Sequence, residues 1–415
     1  MGEAVARRAR PPLAPSQPAH AALPEGTFRR LIVVSLAVAS NLPDVDVLYT
    51  SFDGGPLTYI LQHRGYTHTV PGALVCAALL WFGCLLWMRL RRLQATPRER
   101  AWLAAAALAG VLLHLAMDYT NNYGVHPFWP FYDGWVYGDS VYIVEPLLWL
   151  AAAPLIFVLE TRTARSLVAV ALAVATLAVV AFNLVPTPLS LAFVVLGAAM
   201  LAAGRWLRPA AALGCGLVLW LAVTAVFVIA GRVAAGRLQA AAMVQFPEGR
   251  TLDRVLTPMP ADPVCWDAWL VQARAGTEVM RQAHISLLPG MIAVGRCRGV
   301  DLGPAKAVPQ APAPAAAPGI EWRGEFTLPA DRIATLAATH CRARAFMQFA
   351  RVPMATAGDT GWWLADLRFG AGRGRGFAQL HLLGVPQPCD FASVPWLAPR
   401  PELLAPAAAA GTRSR

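Results

Sequence analysis

Residues 70–88 read VPGALVCAALLWFGCLLWM, an apolar run without a single charged side chain. As a helix it would rise roughly 28 Å, close to the ~30 Å hydrocarbon core of a bilayer. Moving outward, residues 101–117, 141–159, 166–184 and 210–230 read the same way, each nearly free of charge. Residues 189–203 form a shorter sixth run between Pro188 and the Arg205-Trp206 pair. Residues 31–42 are weaker, because about a dozen apolar residues fall below the ~17–25 that a spanning helix needs. Stretching that run through Phe28 and Val47 would draw Arg29, Arg30, Asp44 and Asp46 towards the interfaces. Uninterrupted apolar runs favour helices over barrel strands, which alternate.

Composition agrees. Of 415 residues, 57% are hydrophobic and only 14% charged, against about 25% charged in soluble globular proteins. Mean hydropathy is +0.48. A single soluble domain, a disordered chain and a disulfide mini-protein are excluded. The net charge of +11 resides in arginine, with Lys306 the lone lysine. In a membrane protein such charge first reports topology.

The arginines cluster before the first run (Arg29, Arg30) and between the next two (Arg89, Arg91, Arg92, Arg98, Arg100). They recur at Arg162 with Arg165 and at Arg205 with Arg208, while the intervening loops hold only Arg64. If the first run crosses, the positive-inside rule places the N-terminus in the cytoplasm and everything after the last span in the periplasm. The expected fold is therefore mainly α: a polytopic bundle of about six or seven transmembrane helices followed by an extramembrane α+β domain. Expected boundaries are a disordered arm at 1–27, a transmembrane domain at 28–232, an outer domain at 236–398 and a disordered tail at 399–415. A Pro/Ala-rich linker at 304–319 interrupts the outer domain. Strands are expected near 291–297, 322–328, 362–369 and 377–385, and one helix from about Asp331 to about Ala350. Cys265, Cys297, Cys341 and Cys389 allow two disulfides in any of three pairings in an oxidising compartment. No basic patch with interleaved aromatics points to nucleic acid.

Three polar stretches break the apolar rule: Asn41-Leu-Pro-Asp-Val-Asp46, His63-Arg-Gly-Tyr-Thr-His68 and His114-Leu-Ala-Met-Asp118. Ionisable groups at membrane depth are costly and mark sites or pathways. The topology above puts all three at one face, although it was built without them. His114 and Asp118, four apart, share a helix face. Mixed imidazole and carboxylate donors suit zinc first, with manganese or iron as alternatives. Asp44, Asp46, His63, His68, His114 and Asp118 exceed one tetrahedral site, leaving room for a second metal or for supporting groups. Glu145 could add a ligand, act as a base or pair with Arg64. Arg64 could hold an anionic substrate group.

These motifs resemble the YdjM-like family of membrane-bound metal-dependent hydrolases. The resemblance rests on Pro43-Asp-Val-Asp46, His63-Arg-Gly-Tyr-Thr-His68 and His114-x-x-x-Asp118 followed by Gly124 and Pro130-Phe131, and it covers about residues 40–160. Ile143-Val-Glu-Pro146 is similar to the (Ile/Val)-Asp-Pro turn of one branch, with Glu145 in place of Asp, and that branch carries a soluble C-terminal tail. Members usually open with Thr-His ahead of the Pro-Asp-x-Asp. Here a Pro-rich arm with Ala19-His20 stands instead, leaving either a ligand set one histidine short or an altered start. The resemblance implies an inner-membrane hydrolase. The expectation is a metal-activated water acting on an ester or phosphoester at the periplasmic face, with membrane lipids or lipid-like molecules as partners. A metal-binding transporter and a non-enzymatic envelope scaffold are the alternatives.

Overall fold

The structure, a computed structural model, describes residues 22–52, 55–182, 184–185, 187–297, 317–370, 377–385, 388–389 and 393–404. Helix α1 (Glu25–Ala39) ends shortly before Pro43, which restricts the residue ahead of it. After a 3-10 turn at Pro43–Val45 the chain continues as α2 (Asp46–Phe52), and this pair, bent by 55°, has the geometry of a broken span or a re-entrant loop. The break places Asp44 and Asp46 in an irregular segment instead of a continuous helix.

Helix α3 (Gly55–Gln62) leads to a 3-10 turn at Tyr66–His68. Thr69 then caps α4 (Val70–Leu90) by accepting from the Gly72 N–H at 3.0 Å. Thr96 and Glu99 form a reciprocal capping box at the start of α5 (Pro97–Tyr119).

The run at 141–159 is not one straight helix. Pro146 and Pro154 divide it into α6 (Pro146–Leu150) and α7 (Leu155–Val158), joined by turns bonded three residues apart. It still carries the chain from one end of the bundle to the other. Glu145 bonds Ala261 of the C-terminal domain, while Glu160 pairs with Arg29 near the start of α1. The tighter 3-10 rise of about 2.0 Å per residue helps so short a piece cover that distance.

Helices α8 (Arg162–Ala181), α9 (Thr187–Trp206) and α10 (Pro209–Gln245) follow. Among the described residues, five helices are long and apolar enough to cross a membrane, or six with the bent pair. The 37 residues of α10 rise roughly 55 Å, well beyond a hydrocarbon core. Its far half packs Phe227, Ala234, Leu238 and Ala242 against Trp266 and Leu256 of the C-terminal domain. Gly231 lets the helix pack closely there: a Cβ would lie 3.1 Å from the Trp266 ring.

That domain holds two antiparallel sheets. The first is a meander of β1 (Arg250–Met259), β2 (Asp262–Arg274), β3 (Thr277–Ser286) and β4 (Ile320–Pro329). Helices α11 (Ala330–Thr339) and α12 (Cys341–Phe346) lead to the second sheet, β5 (Pro353–Gly358), β6 (Gly361–Asp366) and β7 (Gln379–Leu383). The α+β expectation holds, with corrections. The expected strand at 291–297 is instead a 3-10 turn at Val294–Arg296, and β1 to β3 were not anticipated. The expected 331–350 helix breaks at His340, whose backbone is extended (φ −128°). The disulfides pair Cys265 with Cys297 and Cys341 with Cys389.

Neither terminal segment matches the expected disorder throughout. Leu23 is buried just ahead of α1, and Arg400 is buried and ion-paired with Glu278. Most of the 304–319 linker and residues 1–21 and 405–415 lie outside the described residues.

The two halves share one core. Leu57, Ile60 and Leu61 of α3, with Tyr123 and Trp135 of the long loop after α5, cluster with Phe346, Phe349 and Trp396. Each such side chain fully buried is worth about 1.5–3 kcal/mol. Arg351 adds an ion pair to Asp139 (2.8 Å) across the junction and is held within its own domain by Asp253 (2.6 Å). Arg368 donates to the Asn122 carbonyl at 2.6 Å.

Candidate metal centre

The break after α1, the turn before α4 and the last turns of α5 converge at the junction between the halves. Asp44, His68, His114 and Asp118 each aim one donor atom into a common point. His68 Nε2 lies 3.1 Å from His114 Nε2, 3.3 Å from Asp44 Oδ1 and 3.2 Å from Asp118 Oδ2. His114 Nε2 lies 3.5 Å from Asp44 Oδ1 and 3.3 Å from Asp118 Oδ2. A tetrahedral ion with bonds of about 2.0–2.1 Å requires donor–donor edges of roughly 3.3–3.4 Å. The donor set therefore fits a zinc-sized ion. Asp118 Oδ2 is buried and faces both imidazoles, so a cation seated among the donors would share it with them.

The groups behind these donors are fixed too. His114 Nδ1 donates to the Ser40 carbonyl at 2.8 Å, which leaves its Nε2 lone pair facing the centre. His68 Nδ1 faces Asp46 Oδ2 at 3.2 Å, the carboxylate–histidine arrangement common behind metal sites. Asp46 is fully buried. Besides His68 it accepts from the Arg64 backbone N–H (2.9 Å), the Thr67 hydroxyl (3.2 Å) and His63 Nδ1 (3.0 Å). Burial opposes a charged His68 imidazole, but hydrogen bonds with Asp118, Asp44 and Asp46 outweigh it and push its pKa up to about 10. These surroundings favour positive charge.

His63, Asp46 and Asp44 form a second group of potential donors that shares Asp44. Both oxygens of Asp46 are already engaged, so this trio reads as support for the first group. His63 also stacks on Tyr59, with ring centroids 4.8 Å apart.

Arg64 adopts a left-handed backbone (φ 61°), uncommon for a non-glycine residue. Its guanidinium is buried between Asp118 Oδ1 (2.9 Å) and Asn121 Oδ1 (3.0 Å), over the Tyr123 ring. It is thus spent on orienting Asp118 and does not reach outward as an anion-binding fork. Glu145 lies elsewhere among the described residues. It caps α6 by accepting from the Leu147 N–H (3.0 Å), and it also accepts from the Ala261 N–H (3.1 Å). Burial pushes its carboxyl up to about 7, against those two hydrogen bonds. It joins neither donor group and is not the partner of Arg64. His20 falls outside the described residues.

Sequence reading missed Asn121, the Ser40 carbonyl and the hydrogen bond from Thr67 to Asp46. Position within the His63–His68 motif was the one available signal for Thr67. Nothing in the sequence linked Asn121 or Ser40 to the site.

Residues 12–187 match the family described as YdjM inner membrane protein. The match covers 176 of the 415 residues, and over that stretch the chain is similar to this family. Every expected donor lies inside the matched residues, and the apolar helices agree with a multi-pass inner-membrane protein. A 120-residue region is 24% identical to the uncharacterized protein YfhP of Bacillus subtilis (strain 168). The matched region covers 29% of this chain and 34% of YfhP, so the chain spans about a third of that relative. No solved structure matches the chain.

Proposed function

We propose that the YdjM-like segment is a membrane-bound metal-dependent hydrolase acting on an ester or phosphoester at the periplasmic face. The observation that carries this reading is the set of four donors within 4.8 Å of one another, five of their six separations being 3.1–3.5 Å, backed by fixed hydrogen bonds. Asp44, His68, His114 and Asp118 would hold the ion, zinc first with manganese or iron as alternatives. A bound divalent ion supplies Lewis acidity, lowering the pKa of water and polarising the bond to be cleaved.

The rest is work for the chain's own residues. Asp46 holds His68 and His63, Ser40 holds His114, and Arg64 with Asn121 holds Asp118. Preorganisation of this kind removes reorganisation cost at the moment of reaction. A hydrolytic site also needs a position for water, whereas a closed four-ligand site is structural. Asp44 is the member suited to give way: its side chain is 47% exposed, against 14% or less for the other three donors. Water and substrate would enter on its side. Val45, Leu48, Tyr49 and Tyr66, close in sequence to Asp44 and His68, are exposed. Such apolar side chains at a membrane boundary suit a lipid-like substrate, with the scissile group at the ion and its tail in the bilayer.

The test uses detergent-purified protein, zinc content, and hydrolysis of a panel of phosphodiesters and glycerophospholipids. The His114→Ala/Asp118→Ala double variant should lose both the metal and the activity. Unchanged metal content in that variant would overturn the assignment. Metal-dependent flux in proteoliposomes without hydrolysis would support the transporter reading in its place.

A further inference from the structure

The loop between α3 and α4 has to hold a strained shape. Arg64 is left-handed, its neighbours His63 and His68 must both face Asp46, and the loop supplies few side chains of its own to keep that form. One residue of the C-terminal domain, far away in sequence, touches the loop along much of its length. Trp396 is fully buried and donates from Nε1 to the Leu61 carbonyl at 2.9 Å. Its ring lies 3.1 Å from where a Gly65 Cβ would sit, a contact only glycine permits, since that Cβ would also meet the Gln62 carbonyl at 2.6 Å. The same ring meets Tyr66 (centroids 5.1 Å apart) and stacks on His126 (4.3 Å). His126 is itself buried, and its Nδ1 donates to the Arg64 carbonyl at 3.4 Å. Leu61, Arg64, Gly65 and Tyr66 are therefore all held, directly or through His126, by one indole.

The segment bearing Trp396 is anchored independently of the loop. Gln348 Nε2 donates to the Val394 and Trp396 carbonyls, both at 3.1 Å, and the Leu397 N–H donates to the Asp133 carbonyl at 3.0 Å. Trp135 in turn donates to the Gln348 carbonyl at 2.8 Å.

We infer that Trp396 is a positioning residue for the metal centre: the C-terminal domain clamps the 61–66 loop and so sets the placement of His63, Arg64 and His68. This rests on the metal-binding reading above. It means that the donors come from the YdjM-like segment while part of their geometry is supplied from outside it. Groups that orient metal ligands typically cost 10–100-fold in affinity when removed.

The experiment measures zinc affinity of the full-length, detergent-purified protein by competition with a chromophoric chelator. Trp396→Phe removes the Nε1–H and keeps most of the stacking; its zinc Kd should rise about tenfold. Trp396→Ala should approach a rise of about 100-fold. Gln348→Ala loosens the anchoring segment without touching the loop and should weaken binding in the same direction, which keeps the test open if Trp396→Ala does not fold. Trp266→Phe is the control for general destabilisation. Trp266 is also fully buried with its Nε1–H on a backbone carbonyl (Pro263, 2.9 Å), but it packs in a separate core. It should lower stability and leave zinc affinity unchanged. Wild-type affinity in folded Trp396→Phe and Gln348→Ala, or an equal loss in Trp266→Phe, would overturn the inference while metal binding stands. Wild-type protein that takes up no zinc would overturn the metal reading itself, and the clamp with it.

Discussion

Asp46→Asn separates support from ligation more cleanly than any deletion of a donor. Asp46 is buried and nearly isosteric with asparagine, so the fold should survive. The hydrogen-bonding pattern cannot. Oδ2 accepts from Arg64 N–H, Thr67 and His68, and Oδ1 from His63, at 2.9–3.2 Å. An asparagine keeps one acceptor oxygen and turns the other into a donor. If the oxygen stays on the Arg64 side, His68 loses the negative charge behind its Nδ1, and the amide N–H faces His63. If the amide flips, it confronts three donors. Either way the imidazole that bridges Asp44 and Asp118 is less basic and less firmly aimed. The expected loss is 10–100-fold in zinc affinity, about 1.4–2.8 kcal/mol. Thr67→Val, which removes one of the four contacts, should cost only a few-fold. Chelator competition in detergent reads both, with a monodisperse elution profile as the folding control. A folded Asp46→Asn protein within threefold of wild type would refute the supporting role of Asp46.

Asp118→Ala should weaken zinc binding more than Asp44→Ala, because it also leaves the buried Arg64 guanidinium without its ion pair; equal losses would contradict the distinct roles given to the two carboxylates. Glu145 takes its proton more readily folded than unfolded, since its carboxyl is raised from 4.5 to about 7. Its contribution is therefore full below pH 4.5 and lost as pH rises through 7, on the order of 3–4 kcal/mol. Glu145→Gln should flatten that decline in a melting series from pH 4.5 to 8, and an unchanged slope would count against it. Replacing Cys265 and Cys297 with serine opens a cross-link that spans 32 residues. That should cost roughly 3–4 kcal/mol by chain entropy, seen as a lower denaturation midpoint for the C-terminal domain; an unmoved midpoint would contradict it.

Membrane helices were legible because they depend on local composition. Residues 70–88 and 101–117 needed no partner to be read, and α4 and α5 extend them only by capped ends. The convergence of Asp44, His68 and His114 was legible for a related reason: charges scarce enough to stand out, placed on one face by the arginine pattern. What failed was whatever depends on distant sequence. Two prolines turned 141–159 into short turns, with Arg29 holding one end and the β1–β2 turn the other. Glu145 looked like a site residue by its position at a helix start, but its carboxylate caps α6 and holds Ala261. Arg64 looked free in the sequence because Asp118 and Asn121, which occupy it, lie more than fifty residues away. Trp396 carried no signal at all, since its role exists only once the C-terminal domain is folded against the loop.

The central claim is that two imidazoles and two carboxylates form one tetrahedral site. X-ray absorption at the zinc edge, on full-length protein loaded with one equivalent, reads that coordination directly. The spectrum should show four nitrogen and oxygen neighbours at about 2.0–2.1 Å, with the outer scattering of two imidazole rings. A sulfur neighbour near 2.3 Å, an oxygen-only shell, or zinc that washes out of the wild-type protein would contradict it.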